Sequence, residues 1–196
     1  MTNLVLFLRI KIKIHRIKKE IIIMKKIKTF NNLEALTICN FINQLTPEKN
    51  DKLGLKVRWA IKKGNDKLAP IAKRYEEFRN EVVNELQKAW FTDEKSEEFM
   101  QPKLDAEGNP IVDADGNEVT EPMRKIKEEF MDDYQAAVAE ANKKLEEIAT
   151  EKNEVELDTF DIDAFVENLD DDGVLTFDDL TMLTAFDETT NVKEAE

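Results

Sequence analysis

LGLKVRWAIKKGNDKLAPIAKRYEEFRNEVVNELQKAW, residues 53–90, decides the architecture of this chain. Val57, Ile61, Gly64, Leu68, Ile71, Tyr75, Phe78, Val82, Leu86 and Trp90 recur at steps of three and four. That spacing lines one face of a helix and lies close to a heptad seam. Pro70 sits inside the run. A proline there removes one backbone hydrogen bond and costs ~3 kcal/mol. A kink or break just before Pro70 is therefore expected, giving two helices on one seam. Gly64 falls on the seam, where a missing side chain admits close approach of another backbone.

Outward from this run, Ala35, Ile38, Cys39, Ile42 and Leu45 predict a first helix over 32–45, capped by Asn31 or Asn32. Thr46-Pro47 ends it and opens the next turn with proline at the first helical position. Residues 91–120 break the pattern. DAEGN at 105–109 and DADGN at 113–117 form a short repeat of acidic turns with glycine where positive φ is wanted. Leu104, Ile111, Val112 and Val119 are the strand residues between them. Met123, Ile126, Phe130, Tyr134, Ala137, Ala141, Leu145 and Ile148 predict a third helix over 121–152, capped by Thr120 and antiparallel to the second segment. Beyond it, 154–157 alternates like an edge strand, 163–169 suits a short helix, and Thr176-Phe-Asp-Asp179 suits a capping box opening another. The expected fold class is mainly α: an antiparallel long-helix hairpin with a small β-hairpin insertion at its tip and a short C-terminal α/β segment. The expected organisation is a helical domain at 24–152 with its insert at 101–120, an acidic segment at 153–186, and a disordered tail at 187–196.

Charge divides the 196 residues into blocks. The net formal charge is −13. Residues 1–23 hold +5, which leaves −18 from Met24 onward. Residues 52–74 hold +7 and residues 154–196 hold −14. The single cysteine, Cys39, excludes an internal disulfide, and its apolar face marks it as core and not nucleophile. No apolar run approaches the ~20 residues that cross a bilayer, so no membrane association is expected.

Three candidate sites follow. Asn168, Asp170, Asp172 and Asp179, with Gly173 between, occupy positions 1, 3, 5 and 12 of an EF-hand-like loop, whose converging oxygens suit Ca2+ or Mg2+. Asparagine at the first position and aspartate in place of glutamate at the last depart from that pattern. An acidic turn before a capped helix uses the same residues. Lys52, Lys56, Lys63, Lys67 and Arg74 share one helix face and form a phosphate-binding candidate. The weightier alternative is neutralisation by the acidic block 154–196, because a chain of this charge repels polyanions. Direct nucleic-acid binding is accordingly not expected. Glu128, Glu129, Asp132, Asp133 and Glu140 form an acidic helical surface for a partner, against the common alternative of a solvated face.

The Lys-rich helix 53–90, the Glu-Gly-Asn and Asp-Gly-Asn turns, the helix 121–152, the strand 154–157 and the closing helix 175–183 resemble small proteins of unknown function encoded by tailed phages of Gram-positive bacteria and related gut phages. The resemblance implies a phage or prophage origin and no particular activity. With no catalytic constellation in the sequence, the expected function is a non-enzymatic phage accessory protein of the host cytoplasm. It would bind a host protein as an acidic, anti-CRISPR-like inhibitor of a nucleic-acid-binding defence system. The alternatives are a virion structural or assembly factor, and a cation-binding or nucleotide-sequestering protein. The helical seam also offers a surface for self-association.

The stretch before Met24 reads as translated AT-rich noncoding sequence. Lys19-Glu20 can be encoded as a ribosome-binding site, three isoleucines span the spacer, and the charges follow the apolar residues instead of preceding them as in a signal peptide. Met24 is therefore expected, in place of Met1, as the start of the native protein; the alternatives for 1–23 are a disordered basic segment and a cationic strand in which Ile10, Ile12 and Ile14 alternate with Lys11 and Lys13. Mass spectrometry of the native N-terminus should find no peptide from residues 1–23; recovering one refutes this start.

Overall fold

The computed structural model describes residues 20–169 and 173–190. About 56% is helix and 21% strand, which places the chain in the mainly-α class with two small antiparallel sheets. In chain order the elements are β1 (Met24–Asn31), α1 (Asn32–Gln44), α2 (Pro47–Lys52), α3 (Gly54–Trp90), β2 (Ser96–Pro102), β3 (Thr120–Ile126), α4 (Met131–Ala149), β4 (Lys152–Thr159), α5 (Ile162–Glu167) and α6 (Phe177–Leu183). β1 pairs with β4 and β2 with β3. Two compact units are assembled from separated stretches. Unit 1 holds the described residues up to Thr29, Asn40–Lys67 and those from Glu154 onward; unit 2 holds Phe30–Cys39 and Leu68–Asn153. These units interleave the segments 24–152 and 153–186 expected from sequence.

The long run forms one uninterrupted helix, so the expected break before Pro70 does not occur. Proline deletes the bond to the Asp66 carbonyl, but Asp66 and Pro70 are both exposed, so water can take the freed carbonyl. Buried Leu68 and Ala72 anchor the helix on either side of the defect.

In unit 1, Thr46 caps α2 by accepting the Lys49 N–H at 3.3 Å, with Pro47 at the first helical position. Val57, Ala60 and Ile61 bury one stripe of α3, Leu53 is buried just before it, and Leu157, Phe160, Phe165, Leu183 and Phe186 supply apolar residues from the C-terminal elements. Phe160 and Phe165 meet edge to face at 5.8 Å. Asp161 caps α5, and the expected capping box of Thr176 and Asp179 opens α6. Gly64 does admit a close neighbour, but it is the Phe186 ring and not a backbone. A Cβ at residue 64 would lie 2.3 Å from Phe186 Cε1. The first residues of the expected disordered tail, 187–190, are held in place, and 191–196 lie outside the described residues. Asp187 is buried, and its carboxylate accepts N–H groups from Ile162 and Thr189 and hydroxyls from Thr189 and Thr190. A buried polar anchor does here what the sequence lacks in apolar ones.

In unit 2, Asn31 caps α1 reciprocally with Glu34: the Asn31 side chain accepts the Glu34 N–H at 2.7 Å, and the Glu34 carboxylate accepts the Asn31 N–H at 2.8 Å. Buried Asn32 donates to the Ile148 carbonyl at 2.7 Å and accepts from Asn153 at 2.9 Å. The third helix starts at Met131, not at 121. Residues 120–126 form β3 instead, paired from Ser96↔Ile126 to Pro102↔Thr120. Met123, Ile126 and Phe130 fit helical spacing, but cross-strand pairing, including a Glu97–Lys125 ion pair at 2.8 Å, overrides it. Thr120 is therefore no helix cap. The ribbon is rooted where Trp90 and Phe91 meet Tyr134 edge to face at 5.6 and 6.1 Å. Its tip closes on a ring of three backbone bonds: Lys103 N–H to Val119, Val119 N–H to Ile111, and Ile111 N–H to Lys103, each 2.8 Å. The two repeated turns flank this ring with the same geometry. Asp105 and Asp113 accept the N–H groups two and four residues on, while Gly108 and Gly116 take φ of 87° and 84°.

Gly64→Ala should lower the unfolding free energy by about 1–2 kcal/mol, because overpacking of up to ~3 kcal/mol against Phe186 outweighs the ~1 kcal/mol helix-propensity gain of alanine. Urea unfolding measures it. In a Phe186→Leu background the same substitution should cost much less; equal costs in both backgrounds would refute the ring contact.

Candidate functional site

Part of the basic face of α3 reaches the acidic C-terminal segment of unit 1 with exposed lysines. Lys63 pairs with buried Asp158 at 2.8 Å, Lys67 donates to the Glu156 carbonyl, and Lys56 pairs with Glu20 at 2.9 Å. Lys52 also has a partner. In unit 2, Arg74 donates to Asn153 at 3.4 Å. Of the five stripe residues, Lys63 and Lys67 thus meet the acidic block 154–196, whereas Lys56 and Arg74 meet residues outside it.

The EF-hand-like loop is described only in part, since Asp170 and Asp172 lie outside the described residues. Asn168 ends α5, its N–H reaching the Phe165 and Val166 carbonyls. Asp179 accepts the Thr176 N–H and hydroxyl on one oxygen, both at 2.8 Å, and its carboxylate is paired with Lys49 at 2.8 Å. Burial raises its pKa, but the Lys49 and Thr176 bonds outweigh burial and hold it below the usual value. This carboxylate serves as helix cap and ion-pair partner. Among the described residues, no three or more His, Cys, Asp or Glu side chains converge as a metal site.

The acidic surface of unit 2 is different. Glu128, Glu129, Asp132, Asp133 and Glu140 are all exposed. Glu140 pairs with Lys144 at 2.9 Å. The other four have no ion-pair partner among the described residues. They crowd the start of α4, and no residue of that helix is fully buried.

Two features were missed in the sequence. The first is Lys28, an inward-facing lysine on β1 with 0% exposure. Its ammonium donates to the Ala185 and Asp187 carbonyls, both at 2.7 Å. Burial brings its pKa down from 10.5 to about 8, against the opposing pull of Asp187. The only available signal was the alternation of Lys26, Lys28 and Phe30, and lysines at such positions normally face water. The second is a groove of about 400 Å³ in unit 1 beside Trp59, lined by the end of α1, by α2 and by the start of α3. Cys39 is a core residue, its thiol pushed up by burial and then by Glu76. Among the described residues no helix is long and apolar enough to cross a membrane.

No protein family, curated protein or solved structure matches this chain.

Because the folded-state pKa of Lys28 is depressed, the folded protein loses this proton before the unfolded chain does. The penalty for burying the charge is fully present below pH 8 and is relieved as pH rises from about 8 to 10.5. Wild type should therefore gain stability relative to Lys28→Met over that window, on the order of 3 kcal/mol if the whole shift is realised. Denaturant unfolding at pH 7, 8, 9 and 10 tests this; parallel curves for the two proteins would refute it.

Proposed function

We propose that the protein acts without catalysis, by presenting the acidic surface of a long antiparallel helix pair to a basic protein partner. The observation that supports this is the unpaired run Glu128, Glu129, Asp132 and Asp133. Four carboxylates fall within six residues, two in a 3-10 turn and two in the first turn of α4, roughly 10 Å of axis at ~2.0 and ~1.5 Å per residue. A nucleic-acid strand places roughly three phosphates in that length at ~3.4 Å each. The run thus offers a phosphate-like charge density to a groove built for nucleic acid. Combined with the resemblance to small phage proteins, this favours an accessory protein that blocks a nucleic-acid-binding defence protein, including CRISPR effectors, in the host cytoplasm. Acids in the first turn also favour the helix dipole, each by ~0.3–1 kcal/mol. That local role needs one or two of them, not all four.

A second reading, an assembly factor of the virion, draws support from the β2–β3 ribbon. Phe99, Met100, Leu104, Val112 and Met123 are exposed along it, and each strand has only the other as a partner among the described residues. Such edges accept further strands.

Affinity purification from infected cells distinguishes the two. The acidic-surface reading expects a basic nucleic-acid-binding host protein, released as salt rises. Neutralising the run (Glu128→Gln, Glu129→Gln, Asp132→Asn and Asp133→Asn together) should weaken its capture tenfold or more and flatten the salt dependence. Recovery of capsid or tail proteins alone would overturn it.

A further inference from the structure

The groove beside Trp59 belongs to unit 1 and has no connection with the acidic run. Ile42 and Ile61 form apolar walls, and Leu55 and Trp59 stand at the rim, 77% and 55% exposed. Large apolar side chains this exposed, beside a concavity of about 400 Å³, are what a small-molecule site offers an apolar ligand surface. Two further observations define the ligand's chemistry. Asn65 Oδ1 is buried in the groove lining with no hydrogen-bond partner. A buried acceptor left unmade costs roughly 1–3 kcal/mol, and a small turn of the amide toward the groove lets a ligand N–H recover it. The rim is cationic. The Lys62 ammonium lies 5.8 Å from the Trp59 ring centroid and has no carboxylate partner among the described residues, while Arg58 holds only an exposed pair with Asp51 at 3.1 Å. An exposed pair of that kind exchanges readily for a stronger anion.

We propose that this groove binds a flat aromatic ring bearing an N–H donor and an anionic substituent, the chemistry of a purine nucleoside monophosphate. The ring stacks at Trp59, its N–H reaches Asn65 Oδ1, and its phosphate takes Lys62 and Arg58. The −13 of the whole molecule acts only weakly on the groove, because charges beyond a Debye length of about 8 Å are screened.

Trp59 reports binding directly once Trp90→Phe removes the second tryptophan. Adenosine monophosphate should quench its fluorescence saturably, with adenosine and inorganic phosphate each binding at least tenfold more weakly. Asn65→Leu and Lys62→Glu should each weaken the nucleotide tenfold or more. Asn65→Leu should melt no lower than its parent, since it removes the orphaned amide. On the unaltered chain, the nucleotide should raise the melting temperature in proportion to the logarithm of its concentration, which keeps the test valid if Trp90→Phe folds poorly. The proposal is overturned by absence of both signals at millimolar nucleotide, by unchanged affinity in both variants, or by response to an acidic aromatic peptide but not to the nucleotide.

Discussion

The Phe186 ring takes its place only because residue 64 has no side chain. That one steric allowance positions a series of polar contacts within unit 1. With the ring seated, the Phe186 carbonyl accepts the Phe160 N–H at 3.0 Å, and the Phe160 carbonyl accepts the Glu188 N–H at 3.1 Å. The carbonyls on either side of Phe186, those of Ala185 and Asp187, receive the buried Lys28 ammonium. The Asp187 side chain in turn holds the Ile162 N–H at the start of α5. A ring displaced by one methyl group would shift the acceptors of the buried Lys28 ammonium, which is why the glycine matters beyond its own packing.

Elements whose determinants are local were legible in the sequence. The spacing of Ala35, Ile38 and Cys39, the Thr46-Pro47 start, the Asp-Gly-Asn turns and the Thr176–Asp179 box each fold as their residues dictate. Where the reading failed, a distant partner decided the outcome. Pro70 is tolerated because Leu68 and Ala72 bury around it. Residues 120–126 leave the helical pattern because 96–102 pairs with them. β1 could not be anticipated, since its inward face carries Lys28, and nothing near Lys28 announces the carbonyls 157 and 159 residues away that accept its charge. The Trp59 groove was hidden for a similar reason: it needs Ile42 and Asn50 beside the start of α3, and no periodicity encodes that.

Charge is used in two ways in the two units. In unit 1, acid and base are consumed against each other. Lys63 with Asp158 and Lys49 with Asp179 join residues 95 and 130 positions apart, each pair combining an accessible lysine with a nearly buried carboxylate. Burial of the carboxylate makes such a pair more consequential than an exposed one, since removing the lysine would strand a desolvated charge. On α4 of unit 2, the pairs are exposed and close in sequence, Lys144 with Glu140 and Lys143 with Glu147. Pairs of that kind are worth only ~0.3–0.5 kcal/mol.

Net charge by itself therefore says little about function here. The informative groups are those left over once the fold's own requirements are met. Lys63 and Lys67 are accounted for by the segment they hold, and Asp179 by the helix it caps. Glu128, Glu129, Asp132 and Asp133 have only the helix dipole to answer, Lys62 and Trp59 have each other, and the buried Asn65 oxygen has no partner. Leaving a polar group unsatisfied costs stability when it is buried, which sets the Asn65 oxygen apart from the exposed carboxylates and Lys62, whose charges water solvates.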